Sequence, residues 1–379
     1  MSATMSGPMC VSPLFLGSEI YRHSSYGPKH PLAIPRVSTA IDLCRAMGWL
    51  PQDQYADSPV ASADDLARYH DAAYIEALQH AERDQQIDAE RRARHNIGGV
   101  ENPIFAEIFS RPATAAGASL LAADRLVATP GVVFSPAGGT HHGRPDRASG
   151  FCYVNDPVLA ILRFLDRGIE RIAYVDVDAH HGDGVQDAFS NDDRVLTLSV
   201  HEEKRWPFTG TVDDRAGGLA RNLPLPRGFN DDEMALVLDV MLVPLVSGFD
   251  PQVVVLQCGA DALEDDPLSR LSLSNNALWN VVRALRPLAP RFMVLGGGGY
   301  NPWTVGRCWA GIWAILNDIP VPGPQETPAA AAAVLSGLSW SRSRGRDPER
   351  AWLSTIADRP RPGPIRETIR DRLGIVMKP

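Results

Sequence analysis

Cysteine is scarce and scattered in this chain. Cys10, Cys44, Cys152, Cys258 and Cys308 lie far apart, none belongs to a CxxC pair, and five is an odd number. That spacing excludes a disulfide framework and points to reduced thiols in a cytoplasmic protein. Basic charge is also short: the net charge is −8, where a general nucleic-acid binder would be positive. No apolar run is long enough to cross a membrane. The opening MSATMSGPMCVSPLFLG has no basic segment followed by a long apolar core, so a soluble, unexported protein is expected. No internal repeat is visible. The run GGGGY at Gly296 to Tyr300 lacks the Lys-Ser/Thr of a phosphate-binding loop and the spacing of a dinucleotide fingerprint. A length of 379 residues, 44% hydrophobic, allows one large α/β domain or two medium ones.

What the chain does contain is a series of apolar runs, each ending in chemistry. Met9 to Leu16 reads as a first strand. Gly131 to Phe134, Ile172 to Val175, Arg194 to His201, Pro251 to Gly259 and Arg291 to Leu295 follow. They lack alternation, as in a parallel sheet covered on both faces. Helical segments lie between them: Val37 to Met47, Ser62 to Ala77 with a capping box to Asp65, Ala113 to Ala128, Val158 to Asp166, Asp231 to Val246 and Asn275 to Leu285. Asp156 and Pro157 read as N-cap and first residue of the helix ending near Gly168. Ile87 to Gly99 is charged and reads as exposed. The pattern predicts an α/β fold with a doubly wound, mostly parallel sheet and helices on both faces. Residues 1–319 are expected to form the main domain. From Pro320 a linker or loosely packed arm, 320–379, should pack on its surface without catalytic work.

The central run continues into YVDVDAHHGDG, Tyr174 to Gly184. Residues two apart in a strand share a face, so Asp176, Asp178 and His180 leave on one side. A polar turn accounts for Gly182 to Gly184. It does not account for Asp176 and Asp178, which would be buried without a partner. Ligands in such sheets bind beyond the strands' carboxyl ends. There the other runs deliver His141 and His142, Asp261 and Tyr300. Asp178, His180 and Asp261 suit a catalytic metal site with an open position. Zinc fits, and so does iron(II), because two carboxylates and one imidazole are a hard donor set. His141 and His142 could then handle protons, with Asp176 and Asp183 to orient them. Tyr300 could donate to a developing oxyanion. This is a set for metal-assisted hydrolysis of an amide or ester. In the Pro-rich loop Gly27 to Arg36, His30 and Arg36 also stand out.

GGTHHG, GFCYVND, YVDVDAHHGDG, CGAD and GGGGY, in that order, resemble the histone deacetylase superfamily in its class I-like form. The likeness covers roughly Gly27 to Asn317. It implies the arginase–deacetylase fold with an acyl-lysine tunnel. It also implies zinc on Asp178, His180 and Asp261, with His142 as general base and acid beside an electrostatic His141. Asp176 and Asp183 would be the histidines' carboxylate partners, and Tyr300 the residue that polarises the scissile carbonyl. Phe151 and Phe208 match tunnel walls, Gly150 a backbone contact to the substrate and Glu101 an acidic rim residue. Their alternatives are core phenylalanines, a turn glycine and a solvated glutamate. A structural potassium site would use Asp176, Asp178, His180, Ser199 and Val200, and a second Phe189, Asp192, Val195 and Phe229. The sequence departs from the family at Asp192, at Phe229 and at Trp206 to Thr211, WPFTGT, which shapes the tunnel rim. The expected substrate is an acylated protein or peptide, as for bacterial acetoin-utilisation proteins. An acetylpolyamine or other small acyl-amine is the alternative, and a non-catalytic regulatory module the second. No nucleic-acid or membrane partner is expected.

Overall fold

The computed structural model describes residues 12–323 and 327–378. Met9 to Val11 of the expected first strand, and Pro324 to Glu326 of the expected linker, lie outside them. Eight strands form one parallel sheet: β1 (Leu14–Gly17), β2 (Tyr55–Asp57), β3 (Gly131–Ser135), β4 (Ile172–Asp176), β5 (Val195–Glu202), β6 (Arg221–Leu225), β7 (Val253–Gln257) and β8 (Arg291–Leu295). Their order is β2-β1-β3-β8-β7-β4-β5-β6. Every residue of β4, β5 and β7 is buried, as runs of Val, Ile and Leu without alternation require when helices cover both faces.

Register decides where the chemistry meets. Ser135 pairs with Leu295, Leu295 with Gln257, Gln257 with Asp176, and Asp176 with Ser199. One row of paired residues thus closes β3, β8, β7, β4 and β5 at the same height. The loops that follow carry His141 and His142, Gly296 to Tyr300, Asp261, and Asp178 with His180, so all open over one stretch of edge. The chain leaves β3 for β4, and the later strands β8 and β7 fill the gap between them. This is the switch point at which open sheets form crevices.

Several elements differ from expectation. The Ser62–Asp65 capping box is present, but it starts a single turn, Ala63–Leu66, and a new helix runs from Ala72 to Asp84. Ile87 to Gly99 contains the helix Ala89–His95, whose last residue is buried. The helix from Asp231 passes through a π-turn at Leu238–Leu242 and continues to Phe249. Asn155, not Asp156, caps the helix Asp156–Asp166, its Oδ1 accepting from the Val158 N–H at 3.1 Å. That exchange frees Asp156 for the site. All fifteen residues of the helix Pro302–Leu316 are buried, so it is covered on every face.

The described residues of the C-terminal segment pack into the core. Trp340, Trp352, Ile356, Ile369, Leu373 and Val376 are buried in the same apolar cluster as Trp303 and Trp309. Arg307, fully buried, spans the contact: Nε donates to the Thr355 carbonyl at 2.6 Å, and Nη2 lies 2.7 Å from Asp358.

Candidate active site

Asp178, His180 and Asp261 offer three buried donor atoms within 4.8 Å of one another. Backbone N–H groups orient both carboxylates. Asp178 accepts from the His180 N–H at 2.9 Å and the Gly298 N–H at 2.7 Å, and Asp261 from the Ala179 N–H at 3.0 Å. Glycines make the room: a Cβ on Gly259 would come within 2.1 Å of Asp178 Oδ2, and one on Gly298 within 2.1 Å of Asp261 Oδ2. His180 Nδ1 stands 2.9 Å from Asp261 and 3.2 Å from Asp178. Burial opposes charge on His180, but these carboxylates win and raise its pKa to about 10. Burial and the charge of Asp178 push Asp261 up to about 6. Burial also resists ionisation of Asp178, yet His141 and His180 carry its carboxyl well below the usual range. Among the described residues no Lys or Arg pairs with either carboxylate. Two buried acids facing one imidazole form a cation niche, and a divalent metal fits it.

The tandem histidines stand beside this niche with rings 3.9 Å apart. His141 Nδ1 lies 2.7 Å from Asp176, and His142 Nδ1 lies 2.7 Å from Asp183. The two pairs have opposite electrostatics. Burial disfavours the His141 cation, but Asp176 and Asp178 overcome it and lift the pKa to about 9. Burial and the neighbouring His141 drive His142 down to about 3 despite Asp183. Asp183 is also gripped by Arg144; burial opposes its charge, yet His142 and Arg144 hold it near 2.

Residues given no role in the site by the sequence hold this loop. Asp156, fully buried, accepts from the Gly139 N–H at 3.0 Å, the Thr140 N–H at 2.8 Å and Ser119 Oγ at 2.6 Å. The Asn155 amide donates to the carbonyls of His141 and Gly143, and the Asn155 N–H donates to His70 Nε2 at 3.0 Å. The Tyr174 hydroxyl donates to Asp176 at 2.7 Å.

A cavity of about 270 Å³ leads from the surface to His142 and His180, lined by Glu101, Gly150, Phe151, Trp206, Leu268 and Tyr300. Phe151 meets the Tyr300 ring edge-on at 5.9 Å. The opposite wall expected at Phe208 is Trp206, whose ring meets His142 at 4.6 Å. Phe208 is 73% exposed and does not line the cavity. A Cβ on Gly150 would strike Trp206 at 2.2 Å, so a glycine is required there. The Gly150 N–H donates to Glu101 at 3.0 Å, and its carbonyl accepts from the Cys152 thiol at 3.4 Å. Glu101 therefore sits at the mouth and braces the wall. Behind Tyr300 lies an inner cavity of about 60 Å³, lined partly by Arg36 and Arg111. Arg36 donates to the Gly297 carbonyl at 2.8 Å, and His30 packs against Phe151 at 4.5 Å.

Beside the niche, Ser199 and Val200 are buried, and Ser199 Oγ lies 2.9 Å from His201 Nδ1. Phe189, Asp192 and Val195 share one turn. There the Asp192 carboxylate is paired with Arg194 at 2.7 Å, and the Phe229 carbonyl accepts from the Ser272 N–H at 2.8 Å.

A family model for the histone deacetylase domain matches residues 30–316. The chain belongs to the histone deacetylase family. It is 36% identical over 313 residues to putative histone deacetylase 2 of Caenorhabditis elegans, covering 79% of this chain and 61% of that one. It is 33% identical to histone deacetylase 8 of Xenopus tropicalis, over 74% of this chain and 78% of the relative. The chain thus spans less than two thirds of the nematode protein and about 57% of histone deacetylase 2 of rice. Crystal structures of an HDAC homolog from Aquifex aeolicus and of an HDAC homolog complexed with SAHA superpose with TM-scores of 0.91. Each is 34% identical and covers 97% of this chain and 100% of its own. The architecture is the arginase–deacetylase fold. Among the described residues no helix is long and apolar enough to cross a membrane.

Proposed function

We propose that this histone deacetylase family member is a zinc-dependent hydrolase that removes acetyl or related acyl groups from lysine side chains of proteins. The observation that carries the reading is a niche of three buried metal donors beside two His–Asp pairs, at the foot of a slot walled by Phe151 and Trp206. A lysine stem is an unbranched apolar chain and suits such a slot, while its backbone stays outside near Glu101.

Bound zinc, or iron(II), would supply a Lewis acid that polarises the acyl carbonyl and lowers the pKa of water. The chain's residues do the rest. His142, neutral at pH 7, accepts the proton of the attacking water at Nε2 and passes a proton to the leaving amine, while Asp183 fixes Nδ1. His141, charged beside Asp176, stabilises negative charge developing nearby. The Tyr300 hydroxyl donates to the forming oxyanion, and the aromatic walls exclude water from it. The inner cavity with Arg36 and Arg111 suits a small carboxylate product. Potassium is proposed at the buried oxygens around Asp176, Asp178, His180, Ser199 and Val200; the second set around Asp192 gains no support.

Turnover of acetyl-lysine peptides and free acetylpolyamines should be compared on one sample of measured metal content. Faster peptide turnover is expected. Preference for the polyamine would replace the substrate, and stoichiometric metal without turnover of any acyl-amine would leave a regulatory module.

A further inference from the structure

We propose that the C-terminal segment from Trp340 to Arg361 positions Tyr300 for the reaction, acting through Asp265 and Asp266. The proposal rests on the reading of Tyr300 as the oxyanion donor.

Tyr300 follows four glycines, and Gly297 and Gly299 have φ of +104° and +134°. Such a run can turn anywhere, so it does not itself decide where the phenol stands. The anchor is Asp266. It is buried, and its Oδ2 accepts from the Tyr300 N–H at 2.6 Å. Its Oδ1 accepts from the Leu268 N–H at 2.8 Å, which closes the 266–268 turn around the carboxylate. The next residue is tied to the same place, since the Asn301 amide donates to the Asp265 carbonyl at 3.3 Å. Residues 265 and 266 are thus the mount on which the Tyr300 backbone hangs.

The C-terminal segment grips this mount from the other side. Arg344 Nη2 donates to Asp265 Oδ1 at 2.7 Å, and Trp352 Nε1 to Asp265 Oδ2 at 3.1 Å. The Arg344 guanidinium stands 5.0 Å over the Trp352 ring. Trp352 in turn stacks on Trp303, three residues past Tyr300, with centroids 5.5 Å apart. The segment therefore holds both Asp265 and Trp303, and Tyr300 is suspended between them. Neither Arg344 nor Trp352 lines the tunnel or the inner cavity, so each can act on the reaction only through this chain of contacts. Arg344 and Asp265 are positioning residues, and a displacement of about 1 Å at a donor is enough to slow catalysis strongly.

Arg344 is 48% exposed, so its removal leaves the fold intact. In the full-length, metal-loaded protein, Arg344→Ala is expected to lower kcat roughly tenfold. KM for an acetyl-lysine peptide should stay within about twofold, metal content should not change, and Arg344→Lys should recover most of the loss. In a Tyr300→Phe background the same substitution should cost less than about twofold, because no hydroxyl is left to place. Equal losses in the two backgrounds, or wild-type kcat in Arg344→Ala, would overturn the proposal. Amide exchange, read without substrate, should quicken over residues 296–303 in Arg344→Ala and stay unchanged in β4 and β7. Unchanged exchange over 296–303 sinks the proposal whether or not the protein turns over acyl-lysine. Absence of wild-type turnover counts against the deacylase reading instead.

Discussion

At Asp178 and Asp261 two carboxylates are buried with an imidazole as their near neighbour, and that arrangement is costly unless a cation joins them. Asp178→Ala or Asp261→Ala should therefore abolish metal binding and activity together, as metal analysis of the purified variants will read. His142→Ala should keep its metal and lose turnover, since the ring handles protons and is tied to Asp183. Near-normal hydrolysis by that variant at neutral pH would remove His142 from the mechanism. Tyr300→Phe retains the ring and loses the donor, so kcat should fall about 10²–10³-fold with metal content unchanged. The tunnel walls make a separate claim. Trp206→Ala and Phe151→Ala widen the slot, and short acetyl substrates should suffer more than bulky acyl groups. Equal losses at every acyl length would make both rings core residues.

At the scale of the element, the loop carrying the tandem histidines depends on its neighbours. His70 Nδ1 donates to the Arg144 carbonyl at 2.9 Å, and Nε2 accepts from the Asn155 N–H at 3.0 Å. The ring must be neutral to do both, and burial lowers its pKa to about 4. A folded pKa below the ordinary 6.5 means that the unfolded chain takes up the proton first. The stabilisation is complete above pH 6.5 and is lost as pH falls towards 4. The gap between 6.5 and about 4, at about 1.4 kcal/mol per pH unit, is worth about 3.5 kcal/mol. Urea midpoints at pH 7 and pH 5 should differ less in His70→Gln than in the wild type. Identical pH dependence in the two would show that His70 is not the linked group.

For the molecule as a whole, the C-terminal segment and the sheet share one core. Arg307 links them, and Arg307→Ala would leave Asp358 without its buried partner. Removal of one member of such a pair costs about 3–5 kcal/mol. Thermal unfolding should fall accordingly, and limited proteolysis should cut first within 340–361. A variant as resistant and as stable as the wild type would make the segment an appendage after all.

The sequence alone determined the strands that matter and the residues at their ends. Apolar runs of four to eight residues without alternation have few ways to be buried, and each delivers its polar residues at a known point. That Asp178, His180, Asp261, both histidines, Asp176, Asp183 and Tyr300 would meet at one edge of the sheet was legible for that reason. The rest turns on residues far apart in the chain. Trp206 and Phe208 are two positions apart, and only the packing of their loop over the site decides that Trp206 lines the cavity while Phe208 faces solvent. That helix Pro302–Leu316 is buried on every face was likewise decided by packing. The place of Asp265 became visible only when Arg344, 79 positions later, closed on it. Local pattern records what each segment would bury; which distant side chains share a cavity depends on how the segments pack, and that was decided by the tertiary structure.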